Sequence, residues 1–351
     1  MPVHHVAIAL SGGMDSAVAA ALLLEKGYDL RAYYMQLPLP DAAEKASQAE
    51  AVARALAIPL ARLDLRRDFD SRVVQYFTST YRRGFTPNPC MLCNQVIKFG
   101  LLAEAMRQRG AEAIATGHYA RINETPSGPR LARGTDSGKD QSYFLARLRQ
   151  EQLQQVIFPL ASWCKSAVRE RVRSLGLPIS AGESQDVCFL EQGLAAFLAS
   201  QGFTDSEGAI ISTEGKKLGM HQGIWRYTIG QRRGLALPDH TPWYVTAIDA
   251  EKNQLIVGKK TDLFQESCMV HALQWSGPPP ALPWRGLVQL RSQHRGADAE
   301  LALCGPDTGM IRFASPQRAI TPGQFAVFYD HDMVLGSAVI GATSAPDQQE
   351  P

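Results

Sequence analysis

Glycines, two hydroxyls and a carboxylate lie between a short apolar run and an alanine-rich segment near the start of the chain. Residues 6–10 are typical of a buried strand, and residues 17–26 are rich in helix formers and end at Gly27. A helix N-terminus offers unpaired backbone N–H groups and positive potential, and glycine lets an anion approach the backbone. The turn therefore predicts a phosphate site, with Asp15 holding magnesium or orienting the loop. Its residues are Ser11, Gly12, Gly13, Met14, Asp15 and Ser16.

This turn differs from the two commonest phosphate loops. It has neither the lysine and serine or threonine that follow the last glycine of a P-loop nor a GxGxxG pattern. It resembles the SGGxDS loop of the ATP pyrophosphatases, enzymes that cut ATP between its α and β phosphates. The alternative is an ordinary strand-to-helix turn that is capped by a serine or aspartate side chain.

The second chemically promising stretch contains two cysteines and two prolines, in the order Thr86, Pro87, Asn88, Pro89, Cys90, Met91, Leu92, Cys93 and Asn94. Cys93 stands just before a helix predicted over residues 94–109, where the helix dipole favours the thiolate. The Cys-x-x-Cys spacing suits redox chemistry or half of a metal site, although two buried cysteines are the simpler alternative. Cys188 is not informative by itself. We expect Cys164, Cys268 and Cys304 to be packing residues.

Composition limits the class of protein. A chain of 351 residues is expected to form two or three domains, and 45% hydrophobic with 20% charged residues is typical of a soluble globular protein. No apolar run has membrane-spanning length and no signal peptide is recognisable, which predicts a cytoplasmic protein without a membrane partner. The net charge of +2 does not indicate a nucleic-acid partner. Arginine-rich runs at residues 66–67, 82–83, 169–173 and 226–233 fit a basic face or solvated helices equally well.

The first 200 residues alternate between strand and helix patterns. Further strands are predicted over residues 30–35, 60–65 and 113–116, with helices over residues 41–57, 69–82 and 94–109. Asp41 and Glu44 have the spacing of a capping box. This alternation predicts a doubly wound parallel sheet, which binds ligands at the carboxyl ends of its strands. The glycine-rich turn and the pair Gly117 and His118 both follow strands, so we expect them at the same edge.

The pattern changes from about Gly208 onwards. Short strands predicted around residues 210–211, 243–248 and 255–257 are typical of small β-barrels. The glycine and three prolines of residues 277–280 suggest a linker before a last β domain. The predicted domains are residues 1–200, 201–270 and 271–345, and residues 346–351 form a disordered tail.

The chain resembles the tRNA-specific 2-thiouridylases (MnmA type) along nearly its whole length. Besides the two stretches above, the shared motifs lie at residues 115–119, 139–145, 188–189, 219–223, 228–234 and 321–324. The resemblance implies an α/β ATP-pyrophosphatase domain with a Rossmann-like, doubly wound sheet. It also implies a small central domain and a C-terminal β-barrel.

The resemblance also implies residue roles. Cys93 would be the nucleophile and Cys188 the persulfide carrier. ATP would contact Ala9, Leu10, Ser11, Gly12, Gly13, Met14, Asp15 and Ser16, with Met35 and Gly117 near its adenine and ribose. The tRNA would contact Asn88 and Pro89 at the target base, and also Cys90, His118, Lys139, Asp140, Gln141, Arg291, Ser292 and Gln324.

The implied reaction replaces O2 of the wobble uridine with sulfur. Transfer of AMP from Mg²⁺-bound ATP makes O2 a leaving group, and pyrophosphate is released. A persulfide on Cys188 then supplies sulfur, and Cys93 frees it by closing a disulfide. The uridine must leave its stack to react. The partners would be tRNA and a sulfur-relay protein or cysteine desulfurase.

Two substitutions depart from the family pattern, which commonly has aspartate at Cys90 and often tyrosine at Ser292. The segment after Met35 is also shorter and less acidic than in many members. Three thiols, Cys90, Cys93 and Cys188, could instead hold an iron–sulfur cluster that delivers sulfide, or zinc. The other hypotheses are a different adenylating enzyme, such as an amidating synthetase, and a tRNA-binding or metal-sensing protein without catalysis.

Overall fold

The N-terminal part of the molecule is an α/β domain with a hairpin and short helices added after its fourth strand. The computed structural model describes residues 4–179, 187–238 and 240–342. In chain order the elements are β1 (His5–Ala9), α1 (Met14–Glu25), β2 (Asp29–Gln36), α2 (Ala42–Ala55), β3 (Leu60–Asp64), α3 (Arg66–Phe69), α4 (Gln75–Arg82), α5 (Pro89–Leu92), α6 (Ala103–Arg107), β4 (Ala113–Ala115), β5 (Ala120–Thr125), β6 (Gly128–Arg133), α7 (Ser142–Leu145), α8 (Gln150–Leu153), β7 (Val156–Ile157), α9 (Lys165–Ser174) and α10 (Leu194–Ser200). Two π-helical segments, Asp70–Val74 and Cys93–Leu102, join α3 to α4 and α5 to α6.

Strands β1, β2, β3, β4 and β7 form a parallel sheet in the order β3-β2-β1-β4-β7. β1 lies at its centre, where Val6, Ala7 and Ile8 are almost completely buried. A strand with helices on both faces has no solvated side, and its sequence is therefore a continuous apolar run. The predicted parallel sheet is confirmed. The short edge strand β7 was not predicted, because two residues carry no recognisable pattern.

Two helix starts differ from the predictions. Asp41 precedes α2 but makes no side-chain cap, because its carboxylate pairs with the Lys45 ammonium at 2.8 Å. The helix that carries Cys93 begins at Pro89 and not at Asn94. Asn88 accepts a hydrogen bond from the Met91 N–H at 3.2 Å, and a proline in the first turn loses no helical hydrogen bond. Asn88 and Pro89 are therefore a helix start signal.

The small central domain is a mixed four-stranded sheet in the order β10-β11-β8-β9. Its strands are β8 (Gly208–Ser212), β9 (Lys217–His221), β10 (Tyr244–Asp249) and β11 (Gln254–Gly258), and 3₁₀ turns lie at Ile224–Arg226 and Lys260–Leu263. Ile210, Val245, Leu255 and Val257 are fully buried and form the core of this sheet.

The C-terminal domain is a closed antiparallel barrel. Its six strands are β12 (Phe264–Trp275), β13 (Trp284–Gln289), β14 (Ala297–Leu303), β15 (Gly309–Arg318), β16 (Phe325–Asp330) and β17 (Met333–Ile340), and pairing of β12 with β17 closes it. The predicted barrel is confirmed. The proline-rich residues 277–280 lie inside it, between β12 and β13, so their prediction as a domain linker is wrong. The domain limits at residues 200 and 270 stay predictions, although β12 runs across the second.

The barrel also contacts the α/β domain directly. The β5–β6 hairpin extends the barrel sheet by pairing Ala132 with Met333, and an apolar core of both domains includes Met91, Phe99, Tyr143, Phe325 and Tyr329. The helix start at Asn88 thus rests on the barrel.

None of the described helices is long and apolar enough to cross a membrane. The predicted tail, residues 346–351, lies outside the described residues.

Candidate active site

The glycine-rich turn joins the carboxyl end of β1 to α1. Gly13 occupies the N-cap position and no side chain caps the helix, so the alternative of an ordinary Ser or Asp cap is wrong. The Ser16 hydroxyl instead donates to the Gly13 carbonyl at 2.9 Å and lies 3.1 Å from the Ser11 hydroxyl. The turn is therefore fixed by its own serines, while the first N–H groups of a 12-residue helix have no side-chain partner.

Two glycines allow neighbouring segments to pack closely on this turn. Gly12 has φ +84°, and a Cβ there would lie 2.7 Å from the Lys45 carbonyl oxygen of α2. A Cβ at Gly117 would lie 2.7 Å from the Ser16 nitrogen. Because each contact is with backbone, a larger residue would displace the turn. The predicted meeting of the turn and Gly117 at one sheet edge is confirmed.

A buried lysine holds the carboxylate of the turn. The Lys165 ammonium lies 2.7 and 2.8 Å from the two Asp15 carboxylate oxygens, and the Tyr119 hydroxyl donates to Asp15 Oδ1 at 2.7 Å. Sequence reasoning missed Lys165. The available signal was a cation in the first turn of α9, where the helix dipole disfavours positive charge. Such a lysine is retained for another interaction, which here is the ion pair with Asp15.

Three cysteines from two distant segments lie close enough to influence one another electrostatically. Cys93 is buried, Cys90 is half-buried and Cys188 is exposed. Burial raises the pKa of the Cys93 thiol to about 12, and negative charge on Cys188 or Cys90 would raise it further. Desolvation by the protein around Cys188 also raises the pKa of its thiol. The helix dipole was expected to give Cys93 thiolate character, but desolvation of the buried sulfur outweighs such an effect and the net change in the pKa is upward.

Lys98 is a second lysine that sequence reasoning missed. Its ammonium lowers the pKa of all three thiols, and this is the largest effect opposing desolvation at Cys93 and at Cys188. Lys98 lies five residues after Cys93, within the π-helical segment Cys93–Leu102. In a π-helix, residues five apart are stacked by the i→i+5 hydrogen bonds, whereas in an α-helix they point about 140° apart. The π-helical hydrogen bonding thus brings residues 93 and 98 to the same face of the helix, in agreement with the effect of Lys98 on the Cys93 thiol.

The cysteine cluster and the glycine-rich turn are connected through the first turn of α2. The charges of Lys45 and Asp41 act on the Cys188 thiol, and the Lys45 carbonyl packs on Gly12. Through these contacts the cysteine cluster adjoins the glycine-rich turn.

Comparison with known proteins agrees with this arrangement. Three family models match consecutive parts of the chain, namely a tRNA methyl transferase HUP domain (residues 4–192), a tRNA methyl transferase PRC-barrel domain (195–259) and an aminomethyltransferase beta-barrel domain (265–340). The chain is 45% identical to the tRNA-specific 2-thiouridylase MnmA of Syntrophotalea carbinolica, over 96% of this chain and 98% of that protein. It is 44% identical to the MnmA protein of Desulfotalea psychrophila, over 95% and 98% of the two chains.

The chain belongs to the tRNA-specific 2-thiouridylase family. This confirms the resemblance that the sequence motifs indicated. A third relative, the MnmA protein of Trichlorobacter lovleyi, is 41% identical over 98% of this chain and 99% of its own length. Because the matches extend over all three domains, the family assignment covers the barrel as well as the glycine-rich turn.

The described residues of this chain do not form a metal-binding site. Within that part of the molecule, no three histidine, cysteine, aspartate or glutamate side chains form a group that could hold a metal ion. The three cysteines, though neighbours, are thus not arranged as a ligand set for an iron–sulfur cluster or zinc. Both Asp15 oxygens already bind Lys165, so the residues also do not fit a protein-held magnesium ion.

His118, a predicted tRNA contact of the thiouridylase, is buried beneath the cysteine helix. Its ring packs against the rings of Phe99 and Phe158, at centroid distances of 5.8 and 6.1 Å, and its Nδ1 is 2.7 Å from the Thr116 hydroxyl. Burial holds the pKa of the imidazole well below its ordinary value, with a further contribution from Lys98. His118 is therefore neutral, and in this structure it packs inside the protein.

Internal hydrogen bonds hold two of the three residues in the predicted tRNA-binding run, which consists of Lys139, Asp140 and Gln141. Asp140 accepts hydrogen bonds from the Gly134 and Ser142 N–H groups at 2.9 and 3.0 Å. Gln141 accepts from the Tyr119 N–H at 2.9 Å. These bonds fix the segment between β6 and α7. The tRNA contacts of all three residues stay predictions.

The barrel residues of the predicted tRNA set lie beside the segment that leads to the cysteines. Gln324 donates to the carbonyl oxygens of Thr86 and Pro87 at 3.0 and 3.1 Å, and Arg291 donates to the Arg318 carbonyl at 3.4 Å. Ser292 is exposed. Gln324 thus helps to position residues 86–89. Met35, a predicted ATP contact, lies in the carboxyl half of β2 and is half-buried.

The remaining cysteines differ in their surroundings. Cys268 is buried in the barrel core, as expected of a packing residue, and burial raises the pKa of its thiol to about 12. Cys164 and Cys304 are exposed, so their prediction as packing residues is wrong. Apolar neighbours in sequence misled the prediction, because Cys164 occupies the N-cap position of α9 and Cys304 lies in a surface bend after β14.

Proposed function

We propose that this chain catalyses the ATP-dependent 2-thiolation of the wobble uridine of tRNA, in the cytoplasm. The observation that carries the proposal is the proximity of Cys93 and Cys188 beside the glycine-rich turn. Sulfur transfer needs two thiols that reach each other, and activation of a carbonyl oxygen needs a nucleotide phosphate. The names of the relatives, tRNA-specific 2-thiouridylases, support this assignment.

ATP would bind at the turn of residues 9–16. The N–H groups at the start of α1 would donate hydrogen bonds to the phosphate oxygens, and Gly12 and Gly13 leave room for them. Lys165 fixes Asp15 and brings a cation to the same turn, where it would offset charge on the departing pyrophosphate. Magnesium would arrive on the ATP phosphates as part of the substrate. Met35 and Gly117 would adjoin the nucleoside.

The first chemical step would activate the uridine. Its O2 attacks the α-phosphorus of ATP, a new O–P bond forms, and the bond to the β-phosphate oxygen breaks so that pyrophosphate leaves. The adenylated oxygen is a good leaving group, unlike the original carbonyl oxygen. Asn88 and Pro89, held in place by Gln324, would border the base.

The second step would transfer sulfur from a persulfide on Cys188, loaded by a sulfur-relay protein or cysteine desulfurase. The terminal sulfur attacks C2, and AMP departs with its oxygen. Cys93 then attacks the Cys188 sulfur, which breaks the persulfide S–S bond, releases the thiocarbonyl and forms a Cys93–Cys188 disulfide. An external thiol reductant would restore both cysteines.

Electrostatics would decide when Cys93 can act. Its buried thiol is protonated at neutral pH, and Lys98 supplies the nearby positive charge that favours the thiolate. The attack therefore needs a proton acceptor or an opening of the site that admits water. Exposed Cys188, by contrast, is accessible to a sulfur donor. No arrangement of described residues favours the iron–sulfur route over the persulfide route.

The test is reconstitution with purified components. The protein, ATP, an unmodified tRNA transcript and a small-molecule persulfide should yield 2-thiouridine by nucleoside mass spectrometry, with stoichiometric pyrophosphate. Asp15→Ala should abolish both products. Asp29→Ala, which removes an exposed carboxylate at the opposite end of β2, should leave both unchanged. Absence of thiouridine and pyrophosphate with the unaltered protein would contradict the proposal.

A further inference from the structure

A pocket of about 260 Å³ lies where the three domains meet. The α/β domain contributes Thr86, the central domain contributes Thr228 and Gly230, and the barrel contributes Arg291, Arg318 and Thr321. None of its lining residues is acidic. A cavity with two arginines and several hydroxyls has the chemistry of an anion site.

The positive charge of this pocket is not neutralised by the residues that the structure describes. In that part of the chain, no carboxylate lies within 4 Å of the Arg291 or Arg318 guanidinium. The Arg318 Nε is buried and has no hydrogen-bond partner. An unpaired buried N–H is costly, so its retention points to an acceptor that binds there.

Hydroxyl groups supply further donors. The Thr86 hydroxyl donates to the Thr228 hydroxyl at 3.2 Å, which leaves the Thr228 hydrogen available to a bound group. Arg291 donates to the Arg318 carbonyl at 3.4 Å, a long bond that leaves most of its guanidinium N–H groups available. A tetrahedral oxyanion could accept from both arginines and Thr228 at once.

The position of the pocket identifies the source of the anion. Thr86 lies two residues before Asn88, a distance of at most about 7 Å along the chain. The same segment is bonded to the barrel by the Thr86 N–H, which donates to the Pro322 carbonyl at 2.9 Å, and by Gln324. A phosphate in the pocket would therefore lie within reach of a nucleotide whose base is at Asn88, whereas the glycine-rich turn contributes nothing to the lining.

We propose that this pocket binds one backbone phosphate of the tRNA next to the target uridine, with Arg318 as the principal ligand. The proposal rests on the proposed function for the identity of the RNA. The bound phosphate would join the central domain, the barrel and the segment before the cysteine helix around one nucleotide. It would thereby hold the flipped uridine in register with Asn88.

The experiment compares Arg318→Gln with Arg312→Gln, which removes an exposed arginine from the same strand outside the pocket. Binding to an anticodon stem-loop RNA is measured over a range of salt concentrations. Arg318→Gln should weaken binding about tenfold. A plot of the logarithm of the association constant against the logarithm of salt concentration should also become less steep. Its slope should change by about 0.7 to 0.9, the value for one phosphate. Arg312→Gln should match the unaltered protein. Equal affinity and slope in Arg318→Gln would overturn the proposal.

A second measurement locates the phosphate. Single neutral methylphosphonate linkages are introduced around the target uridine, and one of them should weaken binding by the unaltered protein and by Arg312→Gln but not by Arg318→Gln. Equal sensitivity of all three proteins at every linkage would contradict the assignment. If Arg318→Gln instead lost affinity for ATP or pyrophosphate alone, the pocket would take a free phosphate and the proposal would be wrong.

Two controls separate this inference from its premises. Arg318→Lys keeps the charge and protects the test against misfolding of the glutamine variant; it should lose less affinity and keep the same sensitive linkage. Thiolation of the same stem-loop by the unaltered protein is measured independently. If no thiouridine forms, the proposed function fails, whereas the linkage pattern still decides whether Arg318 binds an RNA phosphate.

Discussion

Replacement of Lys165 by methionine should separate phosphate binding from folding. The Lys165 residue is only 7% exposed, and its ammonium lies 2.7 and 2.8 Å from the Asp15 oxygens. Loss of one partner from a fully buried pair costs about 3–5 kcal/mol. Because one third of the Asp15 side chain is exposed, water compensates part of this cost, and we expect the free energy of unfolding to fall by about 1–2 kcal/mol.

The effect on ATP should be larger than the effect on folding. Methionine removes a cation from the turn and leaves the Asp15 charge facing the phosphates. A hydrogen bond to a charged group contributes about 1.5–3 kcal/mol, so ATP should bind roughly 10- to 150-fold more weakly. Titration calorimetry with a non-hydrolysable ATP analogue measures this, and pyrophosphate release should fall in parallel. Lys165→Arg should retain part of the affinity.

Arg171→Met is the matched control for this prediction. Arg171 also lies on α9 and pairs with Glu25 of α1, but this pair is at the surface. Its removal should change the free energy of unfolding by less than about 1 kcal/mol and leave ATP affinity unchanged. Unaltered ATP affinity in Lys165→Met, with only reduced stability, would refute a role of Lys165 at the phosphates.

Three further predictions concern the thiols, the buried imidazole and the tRNA surface. Lys98→Met should raise the pKa of the Cys188 thiol and slow its alkylation at pH 7, and an unmoved pH profile of iodoacetamide labelling would contradict this. Because the pKa of His118 is lower in the folded than in the unfolded protein, the free energy of unfolding should fall as the pH drops below about 6.5, by up to about 1.4 kcal/mol per pH unit. In denaturant titrations from pH 7 to 5, His118→Gln should reduce this slope. Charge reversal at Lys139 or Arg291 should weaken tRNA binding in filter assays while ATP affinity stays constant; unchanged tRNA affinity in both variants would remove these residues from the interface.

Local signals were sufficient to predict the α/β domain and its turn. A fully buried central strand has a continuous apolar sequence, and Gly12 is required because the backbone of α2 packs against it. The apolar run and the glycine-rich turn are both recognisable within a short stretch of sequence, although the α2 contact that requires Gly12 is not. The barrel was predicted as a β domain, but its first strand was divided by the proposed limit at residue 270, because β12 carries no signal at that point.

The features of the site that could not be predicted from the sequence depend on contacts between distant segments. Lys165 lies 150 residues from Asp15, so no sequence window contains both. The thiol of Cys93 was expected to be acidic from its position on a helix, but the core around it raises the pKa. Lys98 reaches the cysteine face because the helix is locally a π-helix, and the sequence has no recognisable signal for that. The helix was predicted to begin at Asn94, although Asn88 followed by Pro89 is a recognisable helix start.

The most direct test of the central claim is the behaviour of Cys188→Ser with ATP and tRNA. If the glycine-rich turn activates the uridine and the cysteines transfer sulfur, this variant should form no 2-thiouridine by nucleoside mass spectrometry. It should still release pyrophosphate, in a tRNA-dependent manner and in amounts up to one per active site. Full thiouridine formation by Cys188→Ser would contradict the assignment of Cys188 as sulfur carrier, and loss of tRNA-dependent pyrophosphate release would contradict the separation of the two steps.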